Sequence, residues 1–132
     1  MKTLLFTALA LAAAPAMAAT CGENLDAKAR RQIDAGSVSL AYAAQPSPIP
    51  VDRHFKLAIA VCGAPVTALR VDADMPAHRH GMNYRTTVQS LGGGRWRADG
   101  LMFHMPGRWR FLFELDRAGQ PPLRLTQDLD LP

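Results

Sequence analysis

The chain has 132 residues, of which 48% are hydrophobic, and its formal net charge is +4. This length suits one domain with one modest core and excludes two independent cores. The 15 basic residues are scattered among 11 acidic ones, so the sequence lacks the dense basic stripe that nucleic-acid binding requires.

The N-terminus has the features of a secretory signal peptide. Lys2 supplies a positive charge, residues 4–14 are apolar, and small residues follow at an A-x-A cleavage site. We expect cleavage after Ala18 or Ala19, which makes residues 1–19 the signal and the mature protein periplasmic or secreted. The apolar run is shorter than the about 20 residues that span a bilayer, and no later stretch is apolar enough. We therefore expect no transmembrane segment after cleavage.

The two cysteines, Cys21 and Cys62, predict one disulfide, because an even pair in an oxidising compartment most simply forms a bridge. The bridge would close a loop of about 40 residues and stabilise the domain by roughly 4 kcal/mol in the chain-entropy model. Two alternatives stay open. Cys21 could be lipidated, although Thr20 stands where lipoprotein signals have Gly, Ala or Ser. The two thiolates could instead bind a metal, although they lack the CxxC spacing.

Residues 24–34 have the pattern of one short helix. Asn24 can cap its N-terminus and Gly36 can end it. Apolar residues recur within it at helical spacing, namely Leu25, Ala29 and Ile33. The sequence therefore predicts a helical N-terminal segment over residues 20–35.

The rest of the chain, residues 36–132, alternates between apolar and polar residues as half-buried strands do. Seven strands are predicted at 37–42, 54–61, 66–74, 84–91, 95–103, 108–115 and 123–131. A proline-rich connector at 45–50, three glycines at 92–94 and turn residues at 118–122 separate some of them. The pattern is typical of an all-β, antiparallel, immunoglobulin-like sandwich.

Three of the four histidines lie between positions 75 and 105, together with several methionines. His78, His80 and Met82 are spaced by two, so an extended segment would place two imidazoles and a thioether in one column. His104 and Met105 precede a turn, and a sandwich gathers its turns at its two ends, so the two segments can meet. Imidazole and thioether together favour copper, and thioethers select Cu(I). The sequence therefore predicts a copper site at these five residues.

The same residues also have a purely structural interpretation. Methionine is usually core filler, and histidines in a polar loop are often exposed and idle. Arg79 stands between the two loop histidines and opposes cation binding unless it points to the other face, as alternation predicts. We expect His54, isolated at the start of a strand, at the surface, and Trp96 and Trp109 in the core.

Motifs for catalysis are missing from the sequence. It contains no GxSxG elbow, no HExxH helix and no phosphate-binding glycine loop. The glycines at 92–94 precede a strand and not a helix, which indicates a hairpin turn. We therefore predict a non-enzymatic protein.

Three segments carry a family resemblance: DADMPAHRHGM at 72–82, GRWRADGLMFHMPGRW at 94–109 and FLF at 111–113. Over residues 36–131 the chain resembles the YtkA-like domain family, which is related to the FixH-like group. The resemblance implies a small exported or membrane-anchored β-sandwich module. Because relatives occur beside copper handling and cytochrome oxidase assembly, it also implies a periplasmic copper-related role. The motif positions carried over are Met75, His78, His80, Met82, His104 and Met105. Family loops often have glycine where this chain has Ala77 and Arg79.

Two functional hypotheses follow. The first is a chaperone-like domain that holds copper, or passes it to another envelope or copper-handling protein. The second is an immunoglobulin-like interaction module of the cell envelope that binds no metal. Their predicted geometries differ, because metal binding requires the rings of His78 and His80 to lie within about 6 Å of a methionine sulfur or of His104.

Overall fold

The computed structural model describes residues 20–132, and the predicted signal peptide lies outside them. This part of the chain is all-β and contains nine strands. They are β1 (Arg31–Ala35), β2 (Val38–Gln45), β3 (His54–Cys62), β4 (Ala68–Met75), β5 (His80–Gly81), β6 (Thr87–Gly92), β7 (Arg95–Met102), β8 (Gly107–Arg117) and β9 (Gln120–Leu131). Seven of them overlap the seven predicted strands, which are confirmed, and β1 and β5 are additional.

The strands form two antiparallel sheets packed as a β-sandwich. The first sheet has the order β1-β2-β3-β7-β6 and the second the order β5-β4-β8-β9. Alternation along each strand turns one face inward. On β8 the inward side chains, all at most 1% exposed, are Trp109, Phe111, Phe113 and Leu115. Burial of one such side chain stabilises the fold by about 1.5–3 kcal/mol, so these inward rows hold the two layers together.

The predicted N-terminal helix is wrong. A single turn forms where the N–H of Arg30 donates to the carbonyl of Asp26 (2.8 Å), and the chain then enters β1. β1 pairs with β2, and Ile33 lies opposite Leu40. Gly36, with a φ of 64°, occupies the two-residue turn between them, so it closes a hairpin and does not end a helix. Isolated helices this short are marginal, and pairing with a buried strand outweighs the helical spacing.

The predicted disulfide is present and ties the N-terminus to the outer face of the first sheet. Cys21 bonds to Cys62, with 5.8 Å between their Cα atoms. Cys21 and Leu25 are both buried against small side chains of β2 and β3, including Ala41 and Ala60. The bridge therefore anchors a second, smaller apolar cluster on the side of the sheet that faces away from the main core.

The last predicted turn is shorter than expected. β8 ends at Arg117 and β9 begins at Gln120, so Pro121 and Pro122 lie within β9 and not in the turn. β9 is the edge strand of the second sheet. A proline without an N–H is tolerated there, because an edge strand leaves one side of its backbone unpaired.

Cross-strand ion pairs cover the outer face of the second sheet. Arg70 contacts Glu114 and Asp116 (2.7 Å to the latter), and Arg110 contacts Asp128 (2.8 Å). The guanidinium of Arg70 lowers the pKa of both of its partner carboxylates. These pairs are exposed, so water and salt weaken them. Within residues 20–132, no helix is long and apolar enough to cross a membrane.

Candidate metal centre

A tight turn at residues 76–79 joins β4 to β5. The N–H of His78 donates to the carbonyl of Met75 (3.0 Å), and Arg79 adopts a left-handed conformation with a φ of 55°. The chain then pairs back on β4, so that His80 lies directly opposite Met75. Residues 76–79 therefore form a turn, so the condition of an extended segment, under which His78, His80 and Met82 would share one side, is not met there. His78 and Arg79 are exposed, and His80 is half-buried.

The three predicted histidines form one cluster. The ring centroids of His78 and His80 are 5.6 Å apart, and those of His80 and His104 are 5.2 Å apart. His104 comes from the turn that follows β7, so two turns at the same end of the sandwich supply the three rings. Metal binding was expected to require a ring within about 6 Å of His104 or of a methionine sulfur, and the ring of His80 meets this distance to His104.

Trp109 lies against this cluster from the core side. Its ring centroid is 6.0 Å from that of His80 and 5.4 Å from that of His104. It is fully buried and stacks on Phe103 at 4.4 Å. Its indole N–H donates to the carbonyl of Met105 (3.0 Å), which fixes the backbone of the turn that carries His104. Sequence reasoning assigned Trp109 to the core, where it lies, but gave no sign that the histidines pack on it.

Two ring nitrogens of the cluster have contrasting surroundings. Nδ1 of His80 lies 3.1 Å from the carbonyl oxygen of Gly81. A carbonyl only accepts hydrogen bonds, so in the neutral ring this contact favours the tautomer with the proton on Nδ1 and the lone pair on Nε2. Nδ1 of His104 is buried and has no hydrogen-bond partner among residues 20–132. A buried polar atom without a partner destabilises the fold, and a bound cation or water would satisfy it.

The three methionines near the two turns, Met75, Met82 and Met105, belong to the main core or pack against it. Met105 is half-buried in the turn beside His104, where it packs against the core. The N–H of Met82 donates to the carbonyl of Ala73, and its side chain packs on the core beside a shallow depression that Tyr84 also lines. Met75, which entered only through the family resemblance, is 1% exposed and lies opposite His80. Its place in the β4–β5 register could not be read from the sequence, because β5 was not predicted.

The imidazoles alone do not make a complete metal site. Between residues 20 and 132, no group of three or more His, Cys, Asp or Glu side chains is arranged to hold a metal ion. The donor atoms near this end of the sandwich are imidazole nitrogens, with Met75 paired opposite His80 and Met105 next to His104 in the chain.

The fold and this cluster define a small all-β domain with a histidine-rich end. Comparison with solved structures supports the fold. The chain is similar to the crystal structure of a DUF4426 family protein from Pseudomonas aeruginosa PAO1, with a TM-score of 0.58, 12% identity, and coverage of 80% of this chain and 97% of that one. It is also similar to FetP of uropathogenic E. coli strain F11, with a TM-score of 0.48, 11% identity, and coverage of 77% and 93%. At these identities the likeness concerns the fold alone. No family model and no curated protein matches the sequence, so the YtkA-like resemblance stays a prediction.

Proposed function

We propose that this protein is a periplasmic copper-binding domain that uses the histidine-rich end of its sandwich to hold copper and pass it to another envelope protein. One observation carries the proposal: His78, His80 and His104 come from two separate turns, yet their rings form one cluster. The free lone pair of His80 and the partnerless nitrogen of His104 are the donors such a site needs. Met105 lies beside His104 and is the adjacent thioether donor in the predicted set.

The exposure of the cluster suits transfer more than storage. His78 is exposed, whereas His80 and His104 are half-buried. A metal held by the inner rings would keep one side open to solvent, where a partner's ligand could enter. The predicted signal peptide and the Cys21–Cys62 bridge support an oxidising compartment outside the cytoplasm as the location of the proposed activity.

The test is a copper titration of the disulfide-intact mature domain under a competing chelator. We expect one-to-one binding, and we expect His80→Ala/His104→Ala to weaken it at least about tenfold, since each tenfold loss is about 1.4 kcal/mol. The matched control is His54→Ala, because His54 is exposed and contacts only the ring of Tyr84 among the aromatic residues near it. Wild-type binding no tighter than that of the double variant would refute the proposal.

Trp109 supplies a second readout that needs no competitor. It contacts His80 and His104, whereas Trp96 lies opposite Ile59, toward the other end of the first sheet. In a Trp96→Phe background, Cu(II) binding at the cluster should quench the remaining tryptophan fluorescence. Quenching that persists in the His80→Ala/His104→Ala variant would place the metal elsewhere.

The second candidate is an immunoglobulin-like interaction module without a metal. One observation favours it: Met82 and Met105 pack against the core, as structural methionines do. Under this hypothesis the imidazoles pack on Trp109 to shape the end of the sandwich. Capture of an envelope protein by the mature domain, unaffected by a copper chelator and by the histidine substitutions, would support this second candidate.

A further inference from the structure

We propose that the thioether of Met75 is the buried sulfur ligand of the histidine cluster, so that the site prefers Cu(I) over Cu(II). This inference rests on the proposed copper function and adds a residue and a metal preference to it. Three features support this role of Met75: its register, the reach of its side chain and the chemistry of the donor set that it would complete.

The register places Met75 between the residues that form the cluster. On one side of β4, Met75 lies directly opposite His80 of β5. On the other side, β4 pairs with β8 up to Asp74 opposite Arg110, so the next position brings Met75 alongside Trp109. Directly opposite residues of neighbouring strands point to the same face, and Met75 and Trp109 are both buried on the core face. His80, Met75 and Trp109 therefore form one inward row across three strands.

The side chain of Met75 extends from this row toward the start of β8, next to the turn that carries His104. A Cβ built on Gly107 would lie 2.9 Å from the terminal methyl carbon of Met75. Gly107 follows His104 by three residues, at the end of the same turn. The backbone of Met75 thus lies opposite His80, and the end of its side chain lies beside the turn that carries His104.

The donor chemistry then sets the metal preference. Two imidazoles with one thioether form a soft, low-coordinate set, and thioethers select Cu(I), whereas imidazoles suit both copper states. Met75 is 1% exposed, so its sulfur lies in an apolar, dry environment below the half-buried rings. A monovalent ion bound there carries less charge into that environment than a divalent one, which favours Cu(I) further.

The test compares Met75→Leu with Met102→Leu, because both substitutions keep volume and remove only a sulfur. Met102 is half-buried at the end of β7 and does not belong to the predicted ligand set. Wild type and variants are titrated anaerobically with Cu(I), with Ag(I) as a redox-inert probe of the same softness, and separately with Cu(II). We expect Met75→Leu to weaken Cu(I) and Ag(I) binding about tenfold or more and to change Cu(II) binding less than about threefold. We expect Met102→Leu to leave all three affinities unchanged.

Two further readouts complete the test, and Met105→Leu is titrated beside the other variants. X-ray absorption of the Cu(I)-loaded wild type should show sulfur scattering that Met75→Leu reduces. Unchanged Cu(I) and Ag(I) affinities in Met75→Leu, or a loss confined to Met105→Leu, would overturn the inference. Thermal unfolding checks that Met75→Leu folds. If the wild type binds copper through His80 and His104 but Met75→Leu binds equally well, this inference fails and the proposed function stands. If the wild type binds no copper, the proposed function itself fails.

Discussion

Arg79 lies at the most strained position of the histidine turn, and replacing it with glycine should stabilise the domain. Its φ of 55° is in the left-handed region, which costs a non-glycine residue about 1–2 kcal/mol. Glycine removes this strain but makes the unfolded chain more flexible, which offsets about 0.4–1 kcal/mol. We therefore expect Arg79→Gly to raise the free energy of unfolding by about 0.5–1 kcal/mol, and the melting temperature by a few degrees. Urea unfolding with a fitted slope, together with calorimetry, measures both quantities.

The matched control is Ala77→Gly in the same turn. Ala77 is also exposed, but its φ is not positive, so glycine there only adds flexibility to the unfolded chain. We expect Ala77→Gly to lower the free energy of unfolding by about 0.4–1 kcal/mol. Arg79→Lys keeps both the charge and the strain and should leave stability unchanged. Equal effects of the two glycine substitutions, or no gain from Arg79→Gly, would refute the strain argument.

Three further predictions concern the rest of the domain. Cys21→Ser/Cys62→Ser should lower the free energy of unfolding, measured by urea titration, by about 2–5 kcal/mol. A loss below about 1 kcal/mol would show that the bridge contributes little to stability. Gly63→Ala should abolish or severely destabilise folding, because its Cβ would lie 1.9 Å from the backbone oxygen of Ser37. Gly36→Ala, with nothing within 4 Å, should be tolerated far better in the same circular dichroism melt. The partner guanidiniums lower the pKa of Glu114, Asp116, Asp128 and Asp130. The stability that these carboxylates provide should therefore be complete above their unfolded pKa values of about 4, and it should fall as the pH drops through the lower folded values. Arg70→Met should make the free energy of unfolding fall less steeply as the pH drops below about 4, as measured by urea titrations at several pH values.

Alternation was a reliable guide to the strands because one face of each is buried. The row on β8 from Trp109 to Leu115 shows this, since its inward residues are all at most 1% exposed. The helical spacing of Leu25, Ala29 and Ile33 was misleading. Local periodicity does not report that Gly36 closes a hairpin, nor that a buried strand is available to pair with β1.

The candidate site was predictable in part. Residue chemistry selected His78, His80 and His104, and the structure brings their rings together. Met82 was selected by its parity with His80, which assumes an extended segment, whereas the turn at residues 76–79 changes the path of the chain before it. Residue chemistry did not select Trp109 or Met75, and only the family resemblance named Met75, because their proximity to the rings depends on the pairing of β4 with β5 and β8.

The disulfide and the histidine cluster occupy opposite ends of the same strand. β3 begins at His54, beside Met102 and the turn of His104, and ends at Cys62 eight residues later. At about 3.3 Å per residue, this separates the two ends by more than 20 Å. A thiolate released by reduction at Cys62 is therefore too far away to join a metal ion at the site proposed at His80 and His104. A reductant added to keep copper monovalent in the titrations would open the bridge without supplying that proposed site with a new ligand.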